Sequence, residues 1–383
     1  MLIKNLLNLK ATSARATTLL VTTDLEGDDL IALTLFAKQL LHLTKTHSQL
    51  KDTLTLIFLV GEGSNVELKK QRMLKYITLL GLDYFSTLVY SGFGSSKEFW
   101  GEGSKTFTPE EISEFAKIPT INHDQYVAQT DDLGQLEKKF LEIGFESPES
   151  TILIISLKPM TELMWLWVKG SFNAFHRKNF IGYMSFNARL LFSYNNLYRE
   201  LIPKFLKEFE NTYLYETFTA VGKKNNVTSN SGFDFSLLPQ NVQDDLTLWN
   251  QFCYDDCVHS LEHHFYDIDS LTNQDIEFLD VDDDTKDSLK RDLKASNSIK
   301  SHISSQFVNA DPAIIFWLFS ETDLTGWEYK IYGSVYFSQE GYTHLRYVDR
   351  SWPAVVMLTS EDEQEEDELR DLQVEFYKET LLM

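Results

Sequence analysis

Residues 19–30 read LLVTTDLEGDDL, and this stretch decides the predicted fold. An apolar run ends at Asp24, a turn containing Gly27 follows, and Asp28 and Asp29 open a segment with apolar residues at helical spacing. In open α/β sheets, ligands bind in the crevice outside the carboxyl ends of the strands, where the following helix begins. The sequence therefore predicts three carboxylates close together at one edge of a sheet.

Carboxylates this close repel one another unless a proton or a cation neutralises them. Several hard oxygen donors favour Ca²⁺, with Mg²⁺ as the alternative, over a soft transition metal. A simpler role is also open, because Asp28 can cap the helix and Asp29 can favour the positive end of its dipole. The additional carboxylate of Asp24 at the strand end favours the cation site.

Strand-like and helical patterns alternate in the first half of the chain, which predicts an open, mostly parallel α/β sheet with flanking helices. The predicted strands are 18–22, 53–60, 87–90, 151–157 and 179–185, and the predicted helices are 28–41, 65–80, 161–168 and 188–209. The second half contains helices predicted at 241–264, 285–307, from 311 onward and at 363–381, and β-type segments at 329–337, 343–348 and 354–358. No linker divides the chain, so we expect a lead-in at 1–18, one domain at 19–360, and an acidic helix at 361–383 that is part of the domain or appended to it.

The chain has a net charge of −22, and most of the excess lies in two stretches. Residues 255–292 hold thirteen acidic and three basic side chains, and residues 361–371 hold eight acidic side chains and one arginine. A surface this acidic repels phosphate backbones, so nucleic acid is not an expected partner. No apolar run approaches the ~18 residues of a membrane span. Two cysteines, Cys253 and Cys257, make no disulfide framework, which favours a reducing, cytoplasmic compartment.

The segment from Thr23 to Asp29 resembles the N-terminal signature of inosine–uridine-type nucleoside hydrolases, in which Asp-Thr-Asp precedes three residues and an Asp-Asp pair. Five more segments resemble motifs of this family and occur in the family's order. VGEGSNV at 60–66 is similar to the Gly-Asn turn, WGEG at 100–103 to the His-Gly-rich loop, and LKPMTEL at 157–163 to the Gly-Pro-Leu-Thr-Asn-Leu turn. SFN at 185–187 is similar to the Glu-Phe-Asn segment, and ADPA at 310–313 to the His-Asp-Pro-Leu segment. The chain thus resembles a divergent member of this family, with a nucleoside hydrolase-like fold, helical insertions and a β-rich C-terminal part.

The resemblance implies cation-dependent hydrolysis of the N-glycosidic bond of a ribonucleoside or related N-riboside, with metal-activated water attacking the anomeric carbon. It also implies a role in nucleoside metabolism and assembly into a homo-oligomer. The metal, Ca²⁺ by preference, would be ligated by Asp24, Asp29, Asp311 and the backbone carbonyl of Leu157. Asp24 would also take the proton of the water. The ribose would be contacted by Asp28, Asn65 and Asn187.

Three positions depart from the family's motifs. Thr22 replaces the first aspartate, Ser185 replaces the glutamate of the Glu-Phe-Asn segment, and Ala310 replaces the histidine that protonates the leaving base. They favour an alternative, a catalytically inactive nucleoside- or sugar-binding module on the same scaffold. A third function, a haloacid-type phosphatase, would need an aspartate where Glu26 stands.

The C-terminal segment SEDEQEEDE at 360–368 resembles the glutamate-rich block of bacterial type IV secretion effectors. Export into a host cell is therefore the alternative to a cytoplasmic location. The simpler interpretation of the segment is a solvated acidic face of the last helix.

Overall fold

The computed structural model describes residues 17–61, 66–92, 132–146, 151–158, 161–168, 170–171, 180–185, 211–215, 226–337, 343–347, 354–358 and 363–383. The strands in these ranges are β1 (Thr17–Thr23), β2 (Leu54–Val60), β3 (Ser86–Ser91), β4 (Thr151–Ser156), β5 (Phe180–Ser185), β6 (Asn211–Tyr215), β7 (Asn226–Thr228), β8 (Gln306–Val308), β9 (Glu328–Phe337), β10 (Thr343–Tyr347) and β11 (Ala354–Leu358). The α-helices are α1 (Gly27–Thr46), α2 (Leu50–Thr53), α3 (Val66–Leu79), α4 (Asp132–Glu146), α5 (Thr161–Val168), α6 (Gln240–Glu262), α7 (Asn273–Glu277), α8 (Asp283–His302), α9 (Asp311–Phe319) and α10 (Glu363–Leu382).

Nine strands form one sheet in the order β10-β9-β11-β6-β5-β4-β1-β2-β3. All neighbours from β11 to β3 are parallel, whereas β9 and β10 add an antiparallel edge. Every residue of β1 is buried, as expected for a central strand that is covered on both faces. The predicted fold class, an open and mostly parallel α/β sheet with a β-rich C-terminal part, is confirmed.

Several element predictions need correction. The sequence pattern did not reveal strand β6 or helix α4, and the helix predicted to continue to residue 307 ends at His302. Residues beyond it form β8, in which Phe307 pairs with Val227 of β7 in a small antiparallel sheet. That pairing joins distant parts of the chain, so local periodicity could not indicate it. The helix predicted at 188–209 lies outside the described residues.

Helices α1 and α9 form the centre of the core. All nine residues of α9 are buried, and Phe319 makes an edge-to-face contact with Phe36 of α1 at 6.0 Å between ring centroids. Although α9 is apolar on all sides, none of the helices that the structure describes is long and apolar enough to cross a membrane.

A buried ion pair lies at the carboxyl edge of the sheet. Lys158 and Glu162 have side chains that are each 1% exposed, and they lie against Gly61 and Gly92, which follow β2 and β3. A Cβ on Gly61 would lie 2.7 Å from Lys158 Nζ and closer still to Glu162 Oε1, and a Cβ on Gly92 would lie 2.8 Å from Glu162 Cδ. Because the ion pair fills this space, both strand ends require glycine.

We expect Gly61→Ala to destabilise the protein by about 1–3 kcal/mol, because the new methyl group would displace the charged ends of a buried ion pair. Urea denaturation measures this loss. The matched control is Gly326→Ala, whose Cβ would meet no atom within 4 Å and should change stability by less than about 0.5 kcal/mol. Equal losses in the two variants would contradict the prediction.

Candidate metal centre

The turn between β1 and α1 places three carboxylates at the carboxyl edge of the sheet. Leu25 turns the chain with a φ of 60°, in the left-handed region that non-glycine residues seldom adopt, and its side chain is fully buried. Such a conformation costs about 1–3 kcal/mol and persists where the surroundings hold it. Asp24 is thereby left at the strand end, and Asp28 and Asp29 lie in the first turn of α1.

Asp311 joins this group from the distal part of the chain. Carboxylate oxygens of Asp28, Asp29 and Asp311 lie within 4.8 Å of one another. Asp29 and Asp311 are 1% and 2% exposed, and Asp28 is partly buried. Within the described part of the chain, no other set of three or more His, Cys, Asp or Glu side chains converges in this way.

Hydrogen bonds orient Asp29, whereas one oxygen of Asp311 has none. The Thr23 hydroxyl donates to Asp29 Oδ1, and the Glu26 backbone N–H donates to Asp29 Oδ2 at 3.0 Å. Asp311 Oδ1 is buried without a hydrogen-bond partner among the described residues. An unsatisfied buried acceptor costs about 1–3 kcal/mol, so its position next to two other carboxylates fits the binding of a cation.

The electrostatics of the three carboxylates lead to the same conclusion. Burial, followed by the charge of Asp24, raises the pKa of Asp28 from 3.8 to about 7. Burial and the charges of Asp24 and Asp311 raise the pKa of Asp29 well above its usual range, and burial with the charges of Asp28 and Asp24 does the same to the pKa of Asp311. The clustered carboxyl groups therefore bind protons more tightly than isolated ones, and a divalent cation bound by these hard oxygen donors would replace those protons.

The remaining predicted site residues lie around this cluster or outside the described ranges. Asp24 directly follows β1, and its charge acts on all three clustered carboxylates. Leu157 follows β4 and is buried beside β1, where its backbone N–H donates to the Thr22 carbonyl at 2.9 Å. Asn65 and Asn187, like the segment 100–103, lie outside the described residues. The individual ligand and sugar-binding roles stay predictions.

Two of the three departures from the family's motifs have a visible local consequence. The Thr22 hydroxyl lies 3.0 Å from Ser156 Oγ, so a hydrogen bond between β1 and β4 stands where the motif has a carboxylate. Ala310, directly before Asp311, brings no ionisable group to the cluster. Four histidines are candidates by residue type for the missing proton donor. His259, His263 and His264 are exposed at or just after the C-terminal end of α6, and His123 lies outside the described residues.

The sequence pattern missed two sets of supporting residues. Thr23 was only part of a motif, yet its hydroxyl both donates to Asp29 and accepts the Leu25 backbone N–H at 3.0 Å. Behind Asp311, a buried network joins Asn309 to Gln373 and Tyr377 of α10. Gln373 and Tyr377 lie on the buried side of an otherwise acidic helix, and their partner Asn309 is 64 and 68 residues away in the sequence, so local spacing could not indicate the contact.

A groove of about 790 Å³ along α8 shares no residue with the aspartate cluster. Its basic side chains include Lys290, Arg291 and Lys294, which lie near the middle of α8. Lys290 is already paired with Glu277 and Asp287, so its position there is explained without a ligand.

Comparison with known proteins shows the fold. No family model and no curated protein matches the sequence. Among solved structures, the type III effector protein XopQ, in complex with adenosine diphosphate ribose, matches at a TM-score of 0.57 with 12% identity over 100% of this chain and 99% of XopQ. The effector protein XOO4466 matches at 0.53 with 12% identity over 99% of both chains. An inosine–guanosine nucleoside hydrolase matches at 0.47 with 13% identity over 94% of this chain and 99% of the hydrolase.

The similarities to XopQ and XOO4466 extend over nearly the whole of each chain. At such identities they show a shared fold, and membership of the inosine–uridine-type family stays a prediction.

We expect Ca²⁺ to bind about tenfold more tightly at pH 8 than at pH 6. With a pKa of about 7, Asp28 is mostly protonated at pH 6 and mostly charged at pH 8, and bound protons compete with the cation. Isothermal titration calorimetry at both pH values measures the change. In Asp28→Asn the pH dependence should be weaker, and an affinity that falls with rising pH would contradict the prediction.

The same raised pKa predicts how the cation-free protein responds to pH. The folded chain binds the Asp28 proton more tightly than the unfolded chain does, so this proton stabilises the folded state. That contribution to the free energy of unfolding is fully present below about pH 3.8 and is lost as pH rises through about 7. The gain in Tm on adding Ca²⁺ should therefore grow over this range.

Proposed function

We propose that this protein is a divalent-cation-dependent N-ribosyl hydrolase that cleaves the N-glycosidic bond of a ribonucleoside or related N-riboside. The observation that carries this proposal is the convergence of Asp28, Asp29 and Asp311 at the carboxyl edge of the sheet, with an unsatisfied buried oxygen on Asp311. That edge is where open α/β sheets bind their ligands. Ca²⁺ is the proposed cation, and Mg²⁺ is the alternative.

The proposed ligand set comprises Asp24, Asp29, Asp311 and the backbone carbonyl of Leu157. A divalent cation held there would neutralise the carboxylates and lower the pKa of a water molecule. Asp24, at the end of β1, would accept the proton of the attacking water. Thr23 would keep Asp29 oriented through the hydrogen bond described above.

Asp28 is proposed to bind a ribose hydroxyl, together with Asn65 and Asn187. Cleavage of an N-riboside passes through an oxocarbenium-like sugar, whose positive charge is stabilised by nearby carboxylates. The buried, low-dielectric setting of Asp29 and Asp311 strengthens that stabilisation.

Departure of the leaving group is the step to which the residues of the cluster contribute least. Ala310 stands where the family's motif has a proton-donating histidine. We therefore propose that the enzyme prefers substrates whose leaving group departs without protonation. A nitrophenyl riboside meets this requirement, whereas a purine nucleoside leaves more easily after protonation of its base.

The second candidate function is a nucleoside- or sugar-binding module without turnover. Thr22, Ser185 and Ala310 favour it, because each stands where the motif has an ionisable side chain. The match to XopQ, which was solved with adenosine diphosphate ribose, adds that molecule to the ligands to be tested. Both effector matches make export to a host cell the alternative to a cytoplasmic location.

The deciding experiment measures Ca²⁺ binding and turnover in parallel. The substrate panel comprises nucleosides, nitrophenyl riboside and adenosine diphosphate ribose. For Asp29→Ala we expect Ca²⁺ affinity and turnover to fall at least about 100-fold, because changes even to the partners of metal ligands cost about 10- to 100-fold. The control is Asp282→Asn, which removes one exposed charge and retains a residue type that caps helices well.

The outcomes of this experiment distinguish the two candidate functions. Cation-dependent release of the leaving group, lost in Asp29→Ala and retained in Asp282→Asn, supports the hydrolase. Ligand binding without release supports the binding module. A wild-type protein that binds neither Ca²⁺ nor Mg²⁺ would refute both.

A further inference from the structure

The C-terminal helix α10 contacts both parts of the chain that carry the aspartate cluster. On one side, the Gln39 amide of α1 donates to Thr380 Oγ1 at 2.8 Å. On the other, Gln373 and Tyr377 contact Asn309, which lies two residues before Asp311. Helix α10 therefore connects the helix that carries Asp28 and Asp29 to the segment that carries Asp311.

Asn309 is held at both ends of its side-chain amide. Its Nδ2 donates to Gln373 Oε1 at 2.5 Å, and its Oδ1 accepts the Tyr377 hydroxyl at 2.6 Å. All three side chains are buried, with exposures of 3% or less. A buried amide with both ends bonded has one orientation, so the backbone at Asn309 is fixed relative to α10.

The segment leading to Asn309 is held as well. The Asn250 amide of α6 donates to the Gln306 backbone carbonyl at 2.9 Å, at the first residue of β8. The Tyr377 ring packs against Phe307 at 6.3 Å between centroids. The polypeptide thus reaches Asp311 from a short strand that is anchored on two sides.

We infer that Gln373 and Tyr377 are positioning residues for the cation site. Through Asn309 they fix the backbone that holds Asp311 close to Asp28 and Asp29. This inference rests on the cation site of the proposed function. Neither side chain belongs to the ligand set, so each acts through Asn309. The acidic C-terminal helix is by this inference a structural part of the site.

The test compares two variants that each remove one buried hydroxyl from the same helix. Tyr377→Phe keeps the ring and deletes the bond to Asn309, and Thr380→Val keeps the side-chain shape and deletes the bond to Gln39. Gln39 lies ten residues beyond Asp29 on α1, roughly 15 Å along the helix axis. The control bond is therefore remote from the cluster.

We expect the two variants to lose Tm to a similar extent, because each loses one buried hydrogen bond. Only Tyr377→Phe should bind Ca²⁺ more weakly, by about threefold to tenfold, which is less than the 10- to 100-fold typical of direct partners of metal ligands. Calorimetric titration with Ca²⁺ gives the affinities. Gln373→Met, which removes the other bond to Asn309, should weaken binding to a similar degree and serves if Tyr377→Phe fails to fold.

The outcomes separate this inference from the proposed function. Wild-type protein that binds no Ca²⁺ would overturn both. Wild-type binding with unchanged affinity in Tyr377→Phe and Gln373→Met, or with equal weakening in Thr380→Val, would overturn the positioning role alone. Selective weakening that follows the bonds to Asn309 supports it.

Discussion

Mutual repulsion among buried carboxylates is the constraint on which the site depends. Asp28, Asp29 and Asp311 are brought together in a setting where burial and the charge of Asp24 raise the pKa of all three carboxylates. Such an arrangement is unfavourable for a bare chain and becomes favourable when positive charge enters it. The strained turn at Leu25, the hydroxyl of Thr23 and the network at Asn309 all maintain a geometry that the carboxylates themselves oppose.

The same constraint explains why the two candidate functions share a cation. Binding a cation requires only the carboxylates, whereas cleaving a glycosidic bond also requires groups that accept the proton of the water and assist the leaving group. Thr22 and Ala310 alter the groups available for bond cleavage and leave the cation-binding carboxylates intact. A binding module and a hydrolase would thus retain the same aspartates and differ in the groups around them.

How much could be predicted from the sequence depended on how local each signal was. The strand, turn and helix of residues 19–30 follow one another directly, so their apolar spacing indicated both the fold class and the position of Asp24, Asp28 and Asp29. That Asp311 lies near the other aspartates was predicted from its resemblance to a family motif, because the residues around it do not indicate which part of the fold α9 packs against. Strand β6 and the β7–β8 pair are short and depend on distant partners, and Gln373 and Tyr377 act through contacts that no spacing rule describes.

The position of α10 has a consequence for the order in which the molecule matures. Because a ribosome adds residues from the N-terminus at about 5–20 per second, β1 and the start of α1 emerge long before the helix that supports the segment at Asn309. The nascent chain must hold its acidic turn without that support until α10 has been synthesised. Tight cation uptake would accordingly require α10, and a chain truncated before Tyr377 would lack it.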